Sequence, residues 1–220
     1  MGDNAQTRWW TDAGVGYVVI DNPPMNVLSD ENRRGIRTAL EEFRGQDVGA
    51  VVLTGAGDRA FCAGADPGEE KHLTDDTVGR FLSRGEQTFR ILRDYERPIV
   101  GAINGWAMGG GLVLALWCDV RVGSTRAKLG AVGVKVGLMA SNVQLSRLFP
   151  EGRARDMLLT GRTVEAEEAH RFGLLSSVVA PERLLDEATA WARGMAQRPR
   201  DAVAAAKRAV NLALEPEPAP

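Results

Sequence analysis

Cysteine and histidine are scarce in this 220-residue chain, and neither sign of charge is in excess. Its two cysteines, Cys62 and Cys118, stand among apolar residues. Buried free thiols are expected there, rather than a disulfide frame, a metal site or a thiolate nucleophile. Free thiols suit a reducing cytoplasm. The two histidines are His72 and His170, and neither has the partners that metal-ligand spacing requires, so no metal is expected. The net charge of −2 gives no general attraction to nucleic acid or to an acidic membrane. The scattered arginines (Arg33, Arg34, Arg37; Arg153, Arg155) read as solvated helix faces.

Also lacking is a basic-then-apolar leader in Met1–Trp10. Gly2 is followed at position 6 by Gln, not by the Ser or Thr of a myristoylation signal. One uncharged run, Pro98–Cys118, has 21 residues, long enough to span a bilayer. Asn104 and five glycines interrupt it, so a strand, a glycine turn and a buried helix account for it better, and no membrane partner is expected. A chain this long can form one large domain with an ample core.

Strands are expected at 16–20, 50–54, 99–103, 119–122 and 177–179. Ser29 can cap a helix to about Phe43, with Asp30 and Glu31 in its first turn. Further helices are expected at about 75–94, 110–116, from Ser141 or Asn142 to Leu148, 165–172 with Gly173 as C-cap, Pro181 to Gln197, and 201–214. The tail 215–220 alternates proline with other residues and cannot be helical. Alternating strands and helices indicate an α/β domain, without choosing its topology.

Three places invite a functional reading. Gly55-Ala56-Gly57-Asp58-Arg59-Ala60 fits a dinucleotide-binding pattern after a strand, but no helix opens there, and a tight surface turn is the plainer reading. His72 borders a pocket or lies in a surface loop; His170 lies in a charged helix and is expected to be exposed. No nucleophile elbow or Ser-His-Asp set can be named. The third place is a pair of glycine-rich stretches, Phe61-Cys62-Ala63-Gly64-Ala65-Asp66 and Asn104-Gly105-Trp106-Ala107-Met108-Gly109-Gly110-Gly111, each just after an apolar run. Glycine lets a main-chain N–H approach a ligand closely, and two such groups converging on one oxygen would form an oxyanion hole. Two unrelated strand-to-helix turns would leave the same pattern.

Those two stretches resemble the signature loops of the crotonase family, which includes enoyl-CoA hydratases and isomerases. Asn22-Pro23-Pro24-Met25-Asn26-Val27-Leu28-Ser29 resembles the family's segment along the coenzyme A site. Cys118-Asp119, Thr160-Gly161-Arg162 and Ala169-x-x-Phe172-Gly173-Leu174-Leu175 also fall in family order, so the likeness covers about residues 15 to 210. The resemblance implies an α/β spiral of ββα units over residues 1–195. A shortened helical C-terminal region and proline-rich tail would occupy 196–220. It implies an acyl-CoA or acyl-carrier thioester as partner, with coenzyme A entering only as part of the substrate and no separate cofactor. It also implies a homotrimer or dimer of trimers, weakened by the short C-terminus.

Carried over residue by residue, the enolate-stabilising donors are the backbone N–H groups of Ala65 and Gly110. Met25, Asn26, Val27, Ala63, Gly64, Met108 and Gly109 fall along the substrate. The family's hydratases use two glutamates, and the corresponding positions here are Val113 and Gly133. Neither can transfer a proton, so a conventional hydratase is not expected; both would instead make an apolar pocket wall. Asp66, Ser141 and Asn142 are candidate helpers, with His72 and Glu86 behind them, and Asp66 equally fits a loop cap. Two readings stay open: enolate chemistry without the glutamates, as in the family's decarboxylases, or non-catalytic binding of an acyl thioester.

Overall fold

The computed structural model describes residues 1–71, 74–138 and 143–213. The chain opens with β1 (Gly2–Asn4), β2 (Thr7–Asp12) and β3 (Val15–Ile20), then α1 (Asp30–Arg44). Three ββα units follow. The first is β4 (Ala50–Gly55), β5 (Ala60–Cys62) and α3 (Asp75–Asp94), with the single turn α2 (Pro67–Glu70) before α3. The second is β6 (Ile99–Ile103), β7 (Trp106–Met108) and α4 (Gly110–Leu116). The third is β8 (Val120–Ser124), β9 (Lys128–Gly130) and α5 (Val143–Leu148), with a 3-10 turn at Val132–Val136 after β9. The chain continues through α6 (Glu151–Thr160), β10 (Thr163–Glu165), α7 (Ala166–Arg171), β11 (Ser177–Val179), α8 (Leu184–Ala196) and α9 (Arg200–Ala213).

Each unit sends its first strand to one sheet and its second to another. Among the described residues, the larger sheet has seven strands in the order β1-β2-β3-β4-β6-β8-β11, and the smaller has four, β10-β9-β7-β5. The first three strands of the larger sheet run antiparallel and the rest parallel. Strand residues alternate between its faces, as the two-residue period dictates. Val18, Ile20, Val51, Leu53, Ile99 and Ile103 join the main core, which α1, α3 and α4 also fill. Val15, Tyr17, Ala50, Val52, Val100 and Ala102 face the other way and meet Leu184, Ala188 and Ala192 of α8.

Local sequence explains the longer elements. Ser29 caps α1 through a reciprocal box: the Asn32 N–H donates to Ser29 Oγ at 3.2 Å, and the Ser29 N–H donates to Asn32 Oδ1 at 3.0 Å. Ile36, Leu40 and Phe43 of α1 are buried on one stripe. Helix α3 spans its expected range, and the 98–118 run resolves into β6, a glycine turn carrying β7, and α4. No helix among the described residues is long and apolar enough to cross a membrane. Pro181–Arg183 forms a 3-10 turn before α8 instead of its first α-helical turn.

Two expectations change. The glycine stretches are not bare turns, because their first halves are strands β5 and β7 of the smaller sheet. Three-residue strands are too short to display a period. The N-terminal hairpin β1–β2 and helix α6 likewise stood outside the sequence reading. The second change is Arg33, which is not on a solvated face: it is 8% exposed and shares the stripe of Ile36 and Leu40. The expected helix start at Ser141 or Asn142, the loop around His72 and the tail 214–220 lie outside the described residues.

Candidate active site

Adjacent parallel strands bring the two glycine stretches together. Strand β5 pairs with β7, Cys62 opposite Ala107, so Ala63-Gly64-Ala65 and Gly109-Gly110 leave the same edge side by side. Carboxyl ends of parallel strands are where open α/β sheets place ligands. A β-carbon built on Gly110 would stand 3.7 Å from the Ala65 nitrogen, and one on Gly64 would stand 3.7 Å from the Gly110 nitrogen. Gly110 opens α4, so its N–H has no partner inside the helix. Among the described residues, neither the Ala65 nor the Gly110 N–H has a backbone acceptor.

Neighbouring segments hold this arrangement. The Leu28 N–H donates to the Gly64 carbonyl at 2.7 Å and the Ala63 N–H to the Met25 carbonyl at 3.1 Å, so the Met25–Leu28 segment runs along the first loop. The Gly109 N–H donates to the Gly130 carbonyl at 2.9 Å, tying the second loop to β9. Gly109 has φ +50° and ψ −115°, a conformation closed to residues with a β-carbon. Behind the loops, Asn26 Nδ2 donates to the Ala56 and Ala60 carbonyls at 2.9 and 2.7 Å. Asn104 Nδ2 reaches the Gly55, Gly57 and Ala60 carbonyls at 2.9–3.2 Å. Gly57, with φ +73°, makes the stretch between β4 and β5 a tight turn, and no helix opens there to receive a dinucleotide.

The loops border a cavity of about 450 Å³, within the ordinary range for small-molecule sites. Ala63, Gly64, Ala65, Gly109 and Gly110 form one wall. Phe81, Gly85, Glu86 and Phe89 of α3 form another, and Val132, Gly133, Val136 and Leu138 a third. Leu28, Arg33 and Pro67 complete it. Of the expected substrate-binding positions, Ala63, Gly64, Gly109 and Gly133 are on this surface. Met25, Asn26, Val27, Met108 and Val113 are not on it among the described residues. Asn26 and Met108 are buried behind the loops, and Val113, 1% exposed, sits in the main core.

The candidate helpers separate. Asp66 Oδ1 accepts from the Gly68 N–H at 2.7 Å and caps α2, the bracing role open to it from the start. Glu86 is on the cavity wall but mostly solvent-exposed, paired with Arg90 at 3.1 Å. His72, Ser141 and Asn142 lie outside the described residues. His170 is exposed, with Nδ1 2.8 Å from the Leu175 carbonyl oxygen. Both cysteines are buried and free. Burial pushes the Cys62 thiol up to about 11, against smaller opposing pulls from the Gly64 backbone and the Arg33 charge. Burial likewise pushes Cys118 up to about 12. Neither is a thiolate at neutral pH.

Sequence reasoning named Glu86 of the α3 wall but missed Phe81, Gly85, Phe89 and Arg33. The spacing of Phe81 and Phe89 suits one face of a helix, but nothing local says that the face borders a cavity. The available sign at Arg33 was its spacing, three residues before Ile36 and seven before Leu40, on the apolar stripe of α1.

The fold and paired loops define an α/β protein of stacked ββα units. Residues 11–219 match the family model described as enoyl-CoA hydratase/isomerase, and the chain belongs to that family. It is 38% identical over 203 residues to the (E)-benzylidenesuccinyl-CoA hydratase of Thauera aromatica, covering 90% of this chain and 79% of that protein. It is 34% identical over 206 residues to the short-chain-enoyl-CoA hydratase of Clostridium acetobutylicum, covering 91% and 79%. Among solved structures, Pseudomonas aeruginosa DspI superposes with a TM-score of 0.91 at 30% identity, covering 97% of this chain and 83% of that one.

Proposed function

We propose that the cavity binds an acyl thioester and that the backbone N–H groups of Ala65 and Gly110 stabilise its enolate. The reading rests chiefly on the closeness of these two amides at the edge of an otherwise largely apolar cavity. Fixed main-chain donors aimed at developing charge need no reorganisation during reaction, and one such donor is worth ~10²–10³ in rate. The relatives named as hydratases of CoA thioesters support the thioester as substrate class.

The chemistry is not conventional hydration. Val113 and Gly133 offer no ionisable group where hydratases of the family carry glutamates, and general acid–base help is worth ~10²–10⁴ per group. Glu86 and Asp66 are respectively paired with Arg90 and engaged in a cap. Chemistry that reaches the enolate without a dedicated base, such as loss of CO2 from a β-carboxy thioester, asks least of these residues. The breaking C–C bond then supplies the electron pair that the enolate holds.

Incubation with a panel of acyl-CoA thioesters in deuterated buffer, read by mass spectrometry, tests this. Deuterium at the α-carbon or an enolate-derived product is expected, with little hydration of crotonyl-CoA. Crotonyl-CoA turnover at the rate of a two-glutamate hydratase overturns the reading. Binding with no exchange and no product makes the protein a non-catalytic acyl-thioester binder.

A further inference from the structure

Helix α3 turns Phe81, Gly85 and Phe89 onto the cavity at a spacing of four residues. Side chains four apart on a helix stack one above the next. Here the outer two are aromatic rings and the middle one is missing. Both rings are held in place. Phe81 and Phe89 are 7% and 8% exposed, and the Arg33 guanidinium lies over Phe81, 5.9 Å from its centroid.

Nothing in the fold calls for glycine at position 85. It lies inside a helix, where glycine is weaker than alanine and no left-handed φ arises. Among the described residues, a β-carbon there would meet Phe89 Cε2 at 3.8 Å, ordinary contact that displaces nothing. Gly79, the other glycine of α3, is exposed and off the cavity wall. What Gly85 leaves is a gap in that wall, one side chain wide, between two rings. The Val132–Val136 turn brings a second glycine, Gly133, to the same cavity beside Val132 and Val136.

The gap suits a flat ring. Residues eight apart stand roughly 12 Å apart along a helix axis. A ring midway is ~6 Å from each phenylalanine, inside the ~4.5–7 Å at which aromatic rings pair. A straight acyl chain offers neither a face nor an edge to either ring. We infer that this site selects acyl thioesters whose acyl group carries an aromatic ring, seated between Phe81 and Phe89 where Gly85 has no side chain, with the thioester carbonyl against Ala65 and Gly110. The inference rests on the thioester reading above and adds the substrate class.

Calorimetry would compare benzoyl-, phenylacetyl- and 3-phenylpropanoyl-CoA with their cyclohexyl counterparts and with butyryl-CoA. The protein is expected to bind at least one aryl thioester about 10–100-fold more tightly than butyryl-CoA, as burial of a ring allows. It should bind that thioester about 2–10-fold more tightly than the cyclohexyl counterpart, as ring pairing allows. Gly85→Leu, which fills the gap, should bring the aryl-to-butyryl ratio close to one. Gly85→Ala should lower the ratio part of the way, with a melting temperature equal to or above the parent's. A ratio near one in the unaltered protein overturns the inference and leaves the thioester reading standing. A cyclohexyl thioester bound as tightly as its aryl counterpart overturns it too, since width alone then decides. So does the full aryl preference in folded Gly85→Leu. Failure of every thioester to bind sinks both readings. The comparison among ligands and the smaller Gly85→Ala change hold even if Gly85→Leu does not fold.

Discussion

Gly111 rests directly on the main chain of Cys62: a β-carbon at Gly111 would lie 1.8 Å from the Cys62 carbonyl oxygen. This contact sets the distance between α4 and β5, and therefore between the loops that follow β7 and β5. Gly111→Ala should force α4 off β5 at a cost of ~1–3 kcal/mol or more, as overpacking does. Chemical denaturation followed by circular dichroism measures it, and an unchanged midpoint would show that the contact does not hold the loops.

Gly110→Ala is the contrasting change one residue earlier. A β-carbon there meets the Ala65 nitrogen at 3.7 Å, ordinary contact, so the fold should survive. The added methyl would stand where the thioester carbonyl is proposed to lie. We expect a melting temperature within a few degrees of the parent and a fall of ~10² in whatever acyl-CoA turnover the parent supports. Full turnover in the folded variant would remove Gly110 from the proposed oxyanion site.

Asn26 is 3% exposed and serves two carbonyls of the turn between β4 and β5. Asn26→Ala removes the donor to the Ala56 carbonyl and the acceptor of the Asn22 N–H, while Asn104 still reaches the Ala60 carbonyl, and should cost ~1–3 kcal/mol. Urea melts would show it, and a loss within error of zero would mean that water replaces the amide at no cost.

Thiol titration tests the burial of the cysteines. With burial pushing Cys62 to about 11 and Cys118 to about 12, a thiol reagent at pH 8 should label neither in the native protein. Two thiols should appear on unfolding in guanidinium. Rapid native labelling of either cysteine would place it on an accessible surface.

Arg162 joins α6 to α7, meeting Asp156 at 2.5 Å and Glu168 at 2.9 Å. Hydrogen bonds from Arg162 hold both carboxyls below their usual range. Their stabilising contribution is therefore complete above the unfolded values of ~3.9 and ~4.3 and is lost as pH falls through the lower folded values. Arg162→Met should lower stability at pH 7 and flatten its decline on acidification. Parallel stability–pH curves for parent and variant would exclude the linkage.

Sequence alone reached the long elements, because their physics is local. The Ser29 box starts α1, the stripe of Ile36, Leu40 and Phe43 runs it, and the runs at Ala50–Gly55 and Ile99–Ile103 are apolar enough to be buried strands. It also singled out both glycine stretches, since glycines following an apolar run signal a backbone that must come close to something. Tertiary structure decided what they come close to. Strands β5 and β7 have three residues each, too few for a period, and only their pairing sets the Ala65 and Gly110 nitrogens side by side. It also put Gly133 on the cavity wall and Val113 in the core, though both had been assigned to one wall. A charge in a sequence reads as solvated by default, because burial is a property of what folds over it. Arg33 became part of a cavity only when α3 and the first glycine loop closed around the first turn of α1.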